Sequence, residues 1–243
     1  MKYALITGAS SGIGHATAHK FHQAGYFVYL LARNTQRLEQ LHRELPQSMT
    51  IPCDLQDPKQ IQDLSNKMDF SKIEILVNNA GIYFTKPNDD FMLSDWQKMF
   101  QINVFAVAQL CAHVFPYFKR NQRGSIVMVS STLAQRSTAQ TAAYSASKAA
   151  IENLTKTLAL DGAPHNIRVN CVAPGITETP IHKFDSLPEA DRAKTVAFFN
   201  SLQPLARMGQ PQNIADAIFF LATENSSWTT GSILNVDGGI NIK

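Results

Sequence analysis

A strand, a glycine-rich turn and a helix follow one another at the start of the chain, and that order limits what the rest can become. Residues 2–7 read as a short strand, Gly8-Ala9-Ser10-Ser11-Gly12-Ile13-Gly14 as the turn, and the residues up to Gly25 as a helix. Glycines let a backbone bend tightly and come close to a pyrophosphate, while the first turn of the helix offers unpaired N–H groups and the positive end of its dipole. This is the setting a dinucleotide-binding turn requires. Its spacing, G-x-x-x-G-x-G, departs from the commoner G-x-G-x-x-G.

The alternation continues to the end of the chain. Apolar runs at 27–31, 49–55, 73–77, 125–129, 168–175 and 232–236 read as strands or strands with their turns, and helical stretches are expected at 38–45, from about Pro58, at 96–118, around Tyr144 and at 212–223. Six or seven apolar runs separated by helices, with no repeat and no linker, predict an α/β fold. The expectation is a doubly wound parallel sheet of about seven strands flanked by helices in a single domain spanning 1–243.

Composition removes several function classes. The chain has 243 residues, 17% of them charged, and a formal net charge of only +3, with no run of lysines and arginines to concentrate it. Nucleic acid and membrane surfaces are therefore not expected partners. No stretch of eighteen uninterrupted apolar residues and no signal-peptide pattern is present, so a cytoplasmic location is expected. Cys53, Cys111 and Cys171 are odd in number and lie in or beside apolar segments, the pattern of buried free thiols. His15, His19 and His22 fall at helical spacing but share that helix face with no carboxylate or thiolate, while Ile13, Ala16, Phe21 and Ala24 fit a separate core-facing stripe. The reading is a solvated face, with no metal site.

The chemistry concentrates between Ser131 and Lys148. Tyr144 and Lys148 are four residues apart, which places phenol and ammonium on one helix face, and a neighbouring cation is expected to pull the phenol below its usual pKa. Ser131 closes the apolar run at 125–129 and so sits at the carboxyl end of a strand, the edge where open α/β sheets bind ligands. Arg33 follows the second strand with no acidic residue before it, which favours a cofactor carrying a 2′-phosphate. Asp54 can accept from an adenine amino group or cap the helix near Pro58. Asn79, Ala80 and Gly81 follow the fourth strand as small residues suited to a flat ligand or to a turn. Asn103, an amide among apolar neighbours, either satisfies buried backbone groups or orients a water.

Taken together, Thr-Gly-Ala-Ser-Ser-Gly-Ile-Gly at 7–14, Asn-Asn-Ala-Gly at 78–81, Asn103, Ser131, Tyr144 with Lys148, Pro174-Gly175 followed by Thr179, and the closing Asn-Val-Asp-Gly-Gly make the chain resemble the classical short-chain dehydrogenases/reductases over nearly its whole length. The resemblance implies a single-domain Rossmann fold and an oxidoreductase that interconverts a ketone and a secondary alcohol. Tyr144 would exchange the proton with the substrate oxygen, and Ser131 would hydrogen-bond that oxygen. Lys148 would lower the tyrosine pKa and hold the nicotinamide ribose, and Asn103 would anchor a water leading to Lys148. By the same resemblance Gly8, Ser10, Ser11, Gly12, Ile13, Gly14, Arg33, Asp54, Leu55, Asn79, Ala80, Gly81, Pro174, Gly175, Thr177 and Thr179 line the cofactor together with Tyr144 and Lys148. NADP(H) is the expected cofactor and NAD(H) the alternative.

Two departures shape the rest. Ser11 stands where many NADP-preferring members carry a basic residue, so Arg33 must carry most of the phosphate recognition, and the loop at 135–141 looks shorter than in the similar 3-oxoacyl-[acyl-carrier-protein] reductases. Ile181, Phe184, Leu187, Val196, Phe198 and Phe199 make 176–208 either a lid over an apolar pocket or a surface packed on the core or a neighbouring subunit. Lys183, Arg192 and Lys194 either attract an acyl-carrier protein or form a solvated face. The substrate is expected to be a small carbonyl or alcohol compound, with 3-oxoacyl thioesters first and other small alcohols, sugars or steroids as alternatives. The resemblance further implies a homotetramer, and the non-catalytic alternative is a dinucleotide sensor.

Overall fold

The computed structural model describes residues 1–182 and 187–243. Seven strands, β1 (Lys2–Thr7), β2 (Tyr26–Ala32), β3 (Ser48–Pro52), β4 (Ile75–Asn78), β5 (Gly124–Val129), β6 (Ile167–Pro174) and β7 (Ile233–Val236), form one sheet in the order β3-β2-β1-β4-β5-β6-β7. Every pairing is parallel. The chain winds outward in one direction from β1 to β3 and then in the other from β4 to β7, which leaves a crevice at the carboxyl ends of β1 and β4. The expected doubly wound parallel sheet is thus the one observed.

The helices are α1 (Gly12–Gln23), α2 (Thr35–Glu44), α3 (Pro58–Gln62), α4 (Leu64–Lys67), α5 (Leu93–Phe100), α6 (Ala106–Asn121), α7 (Ala142–Gly162), α8 (Glu189–Leu202) and α9 (Pro211–Ala222). Successive strand residues point to opposite faces, and both faces are covered, which is why the strands are apolar throughout rather than alternating. Leu5, Leu76, Ile126 and Val169 face Leu110, Val114 and Phe118 of α6 and Ile151 of α7. Ile6, Val77, Val127 and Val172 face Phe21 of α1, Leu38 and Leu41 of α2, and Ile214 and Ile218 of α9. Arg168 on β6 donates to the carbonyls of Leu221, Ala222 and Thr223, satisfying the last acceptors of α9.

Several boundaries differ from expectation for local reasons. α2 begins at Thr35 because the Asn34 side chain accepts from Arg37 N at 2.9 Å and caps it. β3 stops at Pro52, because the Asp54 N–H turns away to Gln60 Oε1 at 2.9 Å. Asp57, not Asp54, caps α3 through Lys59 N. The single long helix expected at 96–118 is α5 and α6 joined by a π-turn at Gln101–Phe105, with Asn103 at its centre. On α1 the buried residues are Gly14, Ala16, Thr17, Ala18 and Phe21, so the core stripe includes the glycine turn and omits Ala24.

The stretch Leu93–Asn121 has the length and hydropathy, 1.3, of a membrane span. Its apolar face is occupied, since Val107, Leu110, Val114 and Phe118 pack into the sheet, and it reads as a core helix. Cys53, Cys111 and Cys171 are buried and unpaired, and burial pushes their thiols up to about 11, 12 and 12. They are packing residues rather than nucleophiles.

Candidate active site

The crevice is built by tying the end of β4 to the end of β1. Thr7 Oγ1 accepts from the backbone N–H of Asn79 at 3.0 Å and of Ala80 at 2.9 Å, and Asn79 Nδ2 donates to Thr7 O at 2.9 Å. Thr7 opens the motif at 7–14, but its part in joining the two strand ends is visible only in these bonds. Gly8 adopts φ +69°, which glycine reaches without strain. Gly14 is required by proximity: a Cβ there would lie 2.2 Å from the Gly8 carbonyl oxygen and 2.6 Å from Asn79 Nδ2. The turn, α1 and Asn79 therefore interlock.

Ser11 is the N-cap residue of α1, yet its side chain takes none of the first-turn N–H groups. Thr179 packs against Gly12, its Cγ2 3.2 Å from the position of a Gly12 Cβ. Thr179 arrives there because β6 ends in Pro174-Gly175, Gly175 N bonds Val236 O at 3.0 Å, and buried Thr177 bridges to Gly209.

The other cofactor candidates divide. Arg33 is exposed at the end of β2 and has no hydrogen-bond or ion-pair partner among the described residues. Asp54 is engaged locally, its Oδ1 accepting from Gln56 N at 3.0 Å. Leu55 sends its side chain into the core, with its carbonyl accepting from Gln101 Nε2 at 3.4 Å.

Ser131, Tyr144, Lys148 and Asn103 converge on the opposite side of the crevice. Ser131 caps a short 3-10 turn, Thr132–Ala134, after β5, accepting from Leu133 N at 3.2 Å. Tyr144 lies in the first turn of α7, and Lys148 one turn later donates Nζ to Val129 O at 2.8 Å. A Cβ on Gly81 would lie 3.3 Å from Asn103 Oδ1 and 3.5 Å from Lys148 Nζ, so this glycine leaves the space between them open. Asn103 accepts from Ile82 N at 2.9 Å and donates to Ile82 O at 3.0 Å and Ser147 Oγ at 3.1 Å. The amide thus satisfies buried backbone groups and clamps the loop after β4 onto α7.

The expected lowering of the Tyr144 pKa is overturned. Burial pushes the phenol up to about 12, against a smaller lowering by the Ser131 hydrogen bond. Lys148 does not reverse this, because its Nζ is directed at Val129 O and lies 5.7 Å from the centre of the tyrosine ring. Burial also lowers Lys148 to about 8.

Aromatic groups complete the surroundings. Tyr83 packs edge-on against Tyr144 with ring centres 4.8 Å apart, His182 lies 6.5 Å from Tyr83, and Phe199 of α8 lies 5.7 Å from His182. Tyr83 and His182 were not foreseen, since neither stands in a motif. Val196 and Phe199 are half-buried, whereas Phe198 is exposed, and Lys183 and Phe184 lie outside the described residues.

A family model described as Enoyl-(Acyl carrier protein) reductase matches residues 8–241. The 3-oxoacyl-[acyl-carrier-protein] reductase FabG of Thermotoga maritima is 37% identical over 98% of this chain and 97% of that protein. The glucose 1-dehydrogenase of Gluconobacter oxydans is 36% identical over 99% and 92%. A solved structure described as ElxO with NADP bound is 28% identical, covers 100% of this chain and 99% of its own, and superposes with a TM-score of 0.90.

Proposed function

Since the chain belongs to the short-chain dehydrogenase/reductase family of oxidoreductases acting on CH–OH groups, we propose that it reduces an apolar ketone to a secondary alcohol with NADPH. The observation that carries this is Tyr144, a buried phenol in the first turn of α7 with Lys148 one turn on, whose burial keeps it protonated at neutral pH. A protonated acid is the form reduction consumes.

The crevice fits a dinucleotide. The first turn of α1 keeps its N–H groups uncapped for a pyrophosphate, and Gly8, Gly12 and Gly14 leave no side chain in its way. A bound nicotinamide supplies the hydride. Tyr144 delivers its proton to the carbonyl oxygen, and Ser131 holds that oxygen while charge develops on it. Lys148, which spends one donor on Val129 O, has two more for ribose hydroxyls and for restoring the tyrosine proton. Asn103 keeps the Ile82 loop and α7 in register around that exchange.

NADP(H) is favoured over NAD(H) by Arg33, an exposed guanidinium at the end of β2 with no partner among the described residues, and by the NADP bound to the ElxO structure. Arg33→Ala is expected to weaken NADPH by about tenfold or more, as for a lost charge-assisted hydrogen bond, and NADH by less than about twofold. Binding titrations of both cofactors check this. Equal losses for the two would exclude phosphate reading by Arg33.

Tyr83, His182 and Phe199 favour apolar carbonyl compounds over sugars. With α8 as a lid and exposed Lys194 on it, a 3-oxoacyl thioester delivered by a carrier protein is the first candidate. In a panel of β-keto thioesters, diketones, steroids and sugars under NADPH, the thioesters or apolar ketones are expected to give the highest kcat/KM. A sugar in first place would defeat the apolar reading. We further propose a cytoplasmic enzyme that assembles as a homotetramer, the assembly being supported by exposed Phe105 of the π-turn, Leu160 of α7 and Ile242 near the C-terminus.

A further inference from the structure

Along α1 the histidines have no acidic companion, but the fold brings one from another element. Glu44, the last residue of α2, places Oε2 3.3 Å from His19 Nε2. His15 and His19 are one helical turn apart, with ring centres 4.7 Å from each other. One ligand atom from each of His15, His19 and Glu44 lies within 4.8 Å of the other two, and among the described residues no other set of three His, Cys, Asp or Glu side chains converges in this way. His22 stands outside the cluster.

We propose that His15, His19 and Glu44 form a binding site for a divalent transition ion, zinc in first place, which clips α1 to α2. Two imidazoles and one carboxylate are a donor set used by zinc sites that keep a further position for water. Imidazole nitrogen selects against magnesium and calcium, which take oxygen ligands. Zinc–ligand bonds of about 2.0–2.2 Å put tetrahedral neighbours roughly 3.3–3.6 Å apart, so the widest separation must close by a little over about 1 Å. Side-chain rotation can supply that, because the cluster is at the surface: the His19 side chain is 31% exposed and that of Glu44 42%. Glu44 Oε1 is steadied by Gln40 Nε2 at 3.5 Å, which leaves Oε2 for the ion. Neither histidine has another hydrogen-bond partner among the described residues.

The placement gives the site a consequence. α1 begins in the glycine turn and α2 begins two residues after Arg33, so the ion would join the two helices whose starts carry the proposed dinucleotide contacts. The site does not depend on the proposed reaction, and its test does not use turnover.

The test is calorimetric titration of the full chain, free of any polyhistidine tag, with zinc chloride, alongside visible absorption with cobalt chloride. The expected result is one zinc per chain and a cobalt spectrum. His15→Ala, His19→Ala and Glu44→Gln are each expected to weaken zinc by at least about tenfold, the lower end of what losing even an outer-shell partner costs. His22→Ala is expected to match wild type. Zinc should raise Tm in wild type and not in His19→Ala. Because His15 and His19 are only half-buried and Glu44 is exposed, the variants should fold, and their Tm without zinc checks that they do. Absence of saturable zinc binding would overturn the proposal and leave His19–Glu44 as a plain ion pair. Binding that survives all three substitutions would overturn it equally.

Discussion

Tyr144→Phe is expected to lower kcat by at least about a hundredfold, the usual worth of a positioned proton donor, while cofactor affinity stays within about twofold. The substitution removes one oxygen and nothing else. The ring keeps its edge-on contact with Tyr83 at 4.8 Å, so α7 has no reason to shift, and Lys148 keeps its bond to Val129 O. Ser131 still accepts from Leu133 N, so the stability change should stay within about 1 kcal/mol. The pH dependence follows from the same burial. With the phenol pushed up to about 12, the proton is in place for reduction throughout the neutral range, whereas oxidation needs the phenolate and should accelerate as pH rises. Steady-state rates in both directions across pH, with NADPH binding measured on the same protein, check all of this. A variant keeping more than about a tenth of the wild-type rate would remove Tyr144 from the proton transfer.

The contrast between spacing and burial runs through the whole molecule. Strands were legible because a doubly covered sheet demands apolar side chains on both faces, and runs such as Ile75–Asn78 and Gly124–Val129 carry no competing signal. The glycine turn was legible because only glycine tolerates the approach of Gly14 to the Gly8 carbonyl. The Tyr144 and Lys148 pair was legible from helical spacing, and the structure puts both beside the crevice. Their protonation was not legible, since spacing reports neighbours and carries no measure of desolvation, which here outweighs the hydrogen bond. Asp54 and Asp57 look alike in sequence; which one caps α3 depends on where β3 ends, and that depends on Gln60. Tyr83, His182 and Glu44 reach their neighbours from other elements, a relation no local pattern records. The π-turn at Gln101–Phe105 was hidden because its residues read as ordinary helix.

Lys148→Met is expected to make the protein more stable at neutral pH and nearly inactive. Burial holds Lys148 at about 8 in the folded chain, below its usual 10.5. A base whose folded pKa is depressed binds its proton more tightly when unfolded, so protonation opposes folding. That penalty is at full size below pH 8 and fades between 8 and 10.5, as the unfolded lysine also loses its proton; through this residue, wild-type stability therefore rises with pH across that window. The gap corresponds to about 3 kcal/mol, offset by roughly 1 kcal/mol or more when the Val129 carbonyl loses its donor. Methionine, similar in length and uncharged, should then raise Tm at pH 7 by on the order of 4 °C, with the gain shrinking as pH approaches 10.5. Turnover should fall by about a hundredfold or more, because nothing remains to hold the ribose or resupply the tyrosine. Thermal melts at pH 7 and near 10, read beside kcat, separate the two effects. A lower Tm at pH 7 would mean that the buried ammonium stabilises the fold, and retained turnover would mean that the proton reaches Tyr144 by another route.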